Sequence, residues 1–116
     1  MFVEYLAQVD SAGGLVGAEA LMRWQPDHGG RIPPDAFIPV AEESGLILPL
    51  GRQLLDQVCR QARRWSGSAP AGFRLSCNLS APEILDGGFV ERVIDTLDAH
   101  GLPGSVIRFE ITEATA

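Results

Sequence analysis

The sequence predicts an α/β fold in which parallel strands are covered by helices and the chain enters through an antiparallel hairpin. Three observations carry this reading. Two apolar runs near the N-terminus are split by a turn-forming stretch, the later segments alternate between helical and strand periods, and the strands keep one polar face.

Residues 2–9 and 15–23 are apolar-rich, and Asp10-Ser11-Ala12-Gly13-Gly14 between them carries hairpin turn chemistry. From Trp24 to Asp35 the chain holds Pro26, Gly29, Gly30, Pro33 and Pro34, too many breakers for regular structure. Pro34 opens a short helix reaching Glu43, and Gly45 separates it from the next. Between Ile47 and Trp65, the residues Ile47, Leu54, Leu55, Val58, Ala62 and Trp65 recur at helical steps. Arg52, Asp56, Arg60, Arg63 and Arg64 take the other faces, so the segment reads as an amphipathic helix. A small-residue connector, 66–72, leads into a strand over 73–79. After Asp86-Gly87-Gly88 a further helix is expected, with Phe89, Val90, Val93, Ile94 and Leu97 on one stripe and an end near Gly101 and Pro103. Residues 106–112 form the last strand.

Strand parity carries the functional information. Phe73, Leu75, Cys77 and Leu79 oppose Arg74, Ser76 and Asn78, and Ile107, Phe109 and Ile111 oppose Arg108, Glu110 and Thr112. In 15–23, Val16, Ala18, Ala20 and Met22 face one way, Glu19 and Arg23 the other. A parallel sheet buried on both faces would read as continuous Val, Ile and Leu. A barrel with an apolar outer face under helices and polar groups gathered inside, near the C-terminal strand ends, accounts for the difference. An antiparallel-edged sheet with one wet face fits the same pattern, and spacing alone leaves both open. Glu19, Asn78 and Glu110 share the polar face toward those ends, and Asn78 and Glu110 stand about one βαβ repeat apart. Two carboxylates and an amide oxygen form a hard-oxygen set suited to Mg²⁺ or Mn²⁺ rather than zinc; the plain alternative is a set of solvated side chains.

Composition narrows the classes. The chain has 116 residues, nine basic against fifteen acidic side chains and a net charge of −6, and every basic residue is Arg. An acidic chain without Lys is a poor match to polymeric nucleic acid or an anionic membrane. No apolar run approaches the roughly 20 residues that cross a bilayer, and Met1 to Tyr5 lack the regions of a signal peptide, so a cytoplasmic setting is expected. Cys59 and Cys77 match no metal or redox spacing and are expected to be reduced, buried and inert.

Glu19-Ala20-Leu21-Met22-Arg23-Trp24 resembles the motif that names the EAL domain, a cyclic di-GMP phosphodiesterase module of bacterial signalling. Gly30 to Pro34, Phe37 to Ile47, Asn78-Leu79-Ser80 and Glu110-Ile111-Thr112-Glu113 are similar to further blocks of that family in the same order. The resemblance implies a TIM-like (β/α)8 barrel with an antiparallel first strand. It implies Glu19, Asn78 and Glu110 as ligands of a catalytic Mg²⁺ or Mn²⁺, Arg23 and Leu21 as substrate contacts, and Glu113 as support for a loop at the dimer-forming edge. The implied reaction is metal-assisted hydrolysis of cyclic di-GMP to the linear dinucleotide pGpG. Arg23 pairing with Glu19 on the strand face is the simpler alternative for that residue, and Glu42, Glu43, Trp24, Trp65, His28 and His100 read as surface or packing residues.

A complete barrel takes about 250 residues, so residues 1–116 are expected to be the N-terminal half of such a domain, inactive alone. No Asp-Asp pair and no Lys occur, and Leu6 stands where the family usually carries a substrate-contacting Gln. A degenerate EAL module that binds cyclic di-GMP or a protein partner without turnover is the alternative. Closure of the open strand edge by a second copy, or fusion to sensor or GGDEF-type domains in a longer parent, is the expected context.

Overall fold

The computed structural model describes residues 1–111. Strands β1 (Phe2–Val9) and β2 (Leu15–Arg23) form the antiparallel hairpin, followed by helices α1 (Pro34–Ser44) and α2 (Ile47–Trp65), and strand β3 (Arg74–Leu79). Helices α3 (Ala81–Leu85) and α4 (Phe89–Ala99) then lead through a 3-10 turn at Gly104–Val106 to β4 (Ile107–Ile111).

Local chemistry sets the hairpin. The Asp10 carboxylate accepts from the amides of Ala12 at 3.0 Å and Gly14 at 2.8 Å, while Gly13 takes the positive φ that closes the turn. The Gly13 amide donates to the Asp10 carbonyl and the Asp10 amide to the Gly14 carbonyl. β2 pairs parallel with β3, and β3 parallel with β4, giving the spatial order β1-β2-β3-β4. At Gly17 any Cβ would collide with the Arg74 carbonyl oxygen, so this close approach of β2 to β3 requires glycine.

The core lies on one face only. Ala18, Ala20, Leu75, Cys77 and Ile107 pack against Leu54, Leu55, Val58, Cys59 and Ala62 of α2 and Leu97 of α4. Trp65 fixes the lower end, edge-on to Tyr5 at 5.2 Å and to Phe73 at 5.9 Å between ring centroids. Every core strand residue has the parity predicted to be apolar. A sequential sheet with one helical layer is the wall of a β/α barrel; doubly wound sheets carry helices on both faces.

Three elements differ from expectation. The α4 stripe splits: Leu97 is buried and Phe89 and Val93 half-buried, but Val90 and Ile94 are exposed. Phe89, Val93 and Leu97 follow one i, i+4, i+8 row onto α2 and Phe109, and Val90 and Ile94 sit one residue further round. The short helix α3 falls where no element was expected. Ser80 and Glu83 form a capping box at its start, with Pro82 in the first turn, a pattern readable in Ser80-Ala81-Pro82-Glu83. The last strand is also shorter at its start, since Val106 belongs to the 3-10 turn.

Candidate functional site

The concave face of the sheet is lined by one parity of each strand. β1 contributes Phe2, Glu4 and Leu6, and β2 contributes Glu19, Leu21 and Arg23; the register pairs Phe2 with Arg23, Glu4 with Leu21 and Leu6 with Glu19. On the other side Glu19 pairs with Ser76, and Asn78 pairs with Glu110. Asn78 and Glu110 are therefore side by side, each one residue before the end of its strand. Glu19 does not reach the strand end as expected: it lies mid-strand in β2, opposite Ser76 and two residues below the Asn78 level.

That offset has a geometric reason. Strands in a closed eight-stranded barrel tilt by roughly 36°, and a shear of about 8 staggers equivalent heights by about two residues for every two strands. The step between Glu19 and Glu110 across β2, β3 and β4 has this size. Glu19 and Glu110 are half-buried, Asn78 is exposed, and the ion pairs among the described residues leave out both carboxylates.

The donor set fits a hard divalent cation in part. Among the described residues no group of three His, Cys, Asp or Glu comes together. The face offers two carboxylates and one amide oxygen, which matches Mg²⁺ or Mn²⁺ sites that take one or two carboxylates and complete their shell with water and substrate phosphate. Glu113 lies outside the described residues.

Arg23 is engaged differently from the simple pairing considered above. Its Nε donates to Glu4 Oε1 at 2.8 Å, not to Glu19, and its Nη1 donates to the Met22 carbonyl at 3.3 Å. Glu4 is diagonal to Arg23 across the hairpin, two residues along from its partner Phe2. Arg23, then Arg31, hold the Glu4 carboxyl below the usual carboxylate range. Leu21 is half-buried beside Glu4, and Leu6 is exposed beside Glu19, an aliphatic group on the concave face of β1.

Behind the strand ends, a cavity of about 250 Å³ is lined in part by Arg23, Glu42, Asn78, Ser80 and Glu83. Glu83 accepts from Ser80 Oγ at 2.9 Å and from the Ser80 amide at 3.3 Å. Burial raises its pKa; the Ser80 bonds oppose this and the Glu42 charge adds to it. A raised folded pKa binds the proton more tightly in the native state, so this contribution is fullest below about 4.5 and is lost as pH rises through the folded value. The stability of Glu83→Gln relative to the native chain should therefore increase between pH 4 and pH 7; thermal melts at stepped pH check this, and a flat difference would contradict it.

The remaining candidates are structural. His100, just past the end of α4, places its Nε2 2.9 Å from Asp56 Oδ1 midway along α2, and His28 is exposed. Trp24 sits edge-on to Phe37. Burial pushes the Cys59 thiol up to about 11 and Cys77 up to about 12, so both stay protonated and unreactive at neutral pH.

A sequential sheet entered through an antiparallel hairpin and backed by one helical layer, with Glu19, Asn78, Glu110 and Arg23 on its open face, defines part of a β/α-barrel domain. The EAL domain model matches residues 1–116, and the chain belongs to the EAL domain family. The bifunctional diguanylate cyclase/cyclic di-GMP phosphodiesterase MucR of Pseudomonas aeruginosa is 40% identical over 104 residues, 90% of this chain and 15% of MucR. The probable cyclic di-GMP phosphodiesterase PdeG of Escherichia coli is 42% identical over 101 residues, 87% of this chain and 20% of PdeG. Among solved structures, the PaMucR phosphodiesterase in its c-di-GMP complex superposes with a TM-score of 0.92 at 38% identity, over 99% of this chain and 47% of that one. The chain thus spans less than half the length of these relatives. No helix among the described residues is long and apolar enough to cross a membrane.

Proposed function

We propose that this chain is the N-terminal half of a cyclic di-GMP phosphodiesterase domain, within a longer signalling protein. The observation that carries the reading is the shared face of Glu19, Asn78 and Glu110, with Asn78 and Glu110 in direct register. In it, the Glu19 and Glu110 carboxylates and the Asn78 amide oxygen hold Mg²⁺ or Mn²⁺, Arg23 holds a substrate phosphate, and Leu21 packs on the substrate. When bound, the cation supplies a Lewis acid for the phosphoryl oxygen and activates a water for attack on phosphorus. Glu19 and Glu110 offset its charge, and the Arg23 guanidinium orients the phosphodiester by charge-assisted hydrogen bonds.

Turnover needs groups beyond these residues, since the chain carries no Lys and no Asp-Asp pair. A second reading is a module that binds cyclic di-GMP, or a protein partner, without cutting; Leu6 beside Glu19 favours it, because an aliphatic group there makes no polar contact to substrate. Product analysis of the parent protein with cyclic di-GMP and Mg²⁺ separates the two. Appearance of pGpG supports the phosphodiesterase, and binding without product supports the module.

A further inference from the structure

At the open end of the hairpin, two guanidinium groups meet one carboxylate oxygen. Glu4 Oε1 accepts from Arg23 Nε at 2.8 Å and from Arg31 Nη1 at 3.1 Å. The chain arranges this locally. Trp24 and Ile32 form an antiparallel bridge in which the Ile32 amide donates to the Trp24 carbonyl at 3.0 Å. The loop between them is closed by Gln25 Nε2 donating to the Gly29 carbonyl at 3.0 Å. The bridge turns the loop back, so Arg31 arrives beside β1 and lies over the Phe2 ring at 4.9 Å from its centroid. Phe2 is itself the register partner of Arg23.

Two positive charges on one negative charge leave the cluster cationic within a chain of net charge −6. Among the described residues the contacts use Nε and Nη1 of Arg23 and Nη1 of Arg31, and none of them uses either Nη2 group, which can meet an incoming anion. Planar guanidinium forks match the oxygens of a phosphodiester. We propose that Glu4 positions Arg23 and Arg31 as a two-arginine subsite for one phosphodiester group, an inference that rests on the cyclic di-GMP reading above. Arg31 is a direct anion contact and Glu4 acts through the two arginines. The Arg23 and Arg31 charges hold the Glu4 carboxyl below its usual range, so the arrangement persists at neutral pH.

The sign of one substitution separates positioning from mere charge. If Glu4 only neutralised the arginines, Glu4→Gln would tighten anion binding; if it positions them, Glu4→Gln weakens binding although it removes a negative charge. The test titrates the native chain, Glu4→Gln and Arg31→Ala with cyclic di-GMP in Mg²⁺ by calorimetry. In parallel, the arginine Nε–H resonances are followed with cyclic di-GMP and with dimethyl phosphate. The Arg31 side chain is 55% exposed, so its removal leaves the fold intact. Arg31→Ala is expected to weaken cyclic di-GMP binding about tenfold, as loss of a charged hydrogen bond does. Glu4→Gln should weaken it as well, and both anions should move the Arg23 and Arg31 signals. Unchanged affinity in Arg31→Ala, or tighter binding in Glu4→Gln, overturns the subsite and leaves the cyclic di-GMP reading standing. If the native chain ignores cyclic di-GMP while dimethyl phosphate moves both signals, that reading fails and the subsite stands. If neither anion moves them, the subsite falls.

Discussion

Leu75→Ala is expected to destabilise the chain by about 3 kcal/mol, enough to unfold a large fraction of a small domain. Leu75 is fully buried in β3, the strand that both β2 and β4 pair with, and its side chain meets the Val58 and Cys59 face of α2. Truncation removes the transfer free energy of the side chain and leaves a cavity that the sheet cannot close without breaking its ladders. Leu6→Ala is the internal control, because Leu6 is 56% exposed on the opposite face. Urea unfolding of both variants checks the contrast; equal losses would mean that the concave face is packed as tightly as the convex one, against the barrel-wall description.

Glu19→Gln is expected to act in the opposite way, sparing the fold and removing the metal. Glu19 is half-buried and takes no part in the ion pairs among the described residues, so its stability effect should stay within about 0.5 kcal/mol. Its effect on Mn²⁺ should be at least about tenfold in affinity, since even partners outside the ligand shell cost 10- to 100-fold when lost. Water-proton relaxation in an Mn²⁺ titration reads this directly. Affinity equal to that of the native chain would remove Glu19 from the metal site.

The fold was legible in the sequence because its strands keep strict parity. Parity alone assigns Leu75, Cys77, Ile107 and Ala18 to the apolar faces of their strands, and the breakers of 24–35 mark the loop. The placement of Asn78 beside Glu110 followed from the length of one βαβ repeat. What spacing could not supply is register between strands that are not joined by a short loop, or across a bulge. The hairpin register shifts between Gln8 and Val9, and it is this shift that decides which β1 side chain stands beside Glu19 and which beside Arg23. Hence spacing does not show the Glu4 to Arg23 pair, nor the level of Glu19 relative to Asn78, which the pairing of β2 with β3 sets. The splitting of the α4 stripe was equally hidden, because periodicity shows which residues share a face but not how wide a strip the neighbouring helix covers.

Glu19, Asn78 and Glu110 are proposed to belong to one metal-dependent cyclic di-GMP site. Calorimetric titration of the 116-residue chain with cyclic di-GMP, first with Mn²⁺ and then with chelator, tests it most directly. Heat is expected in the presence of metal and is expected to disappear on chelation and in Glu19→Gln. No heat under either condition, or binding that survives both chelation and Glu19→Gln, would contradict it.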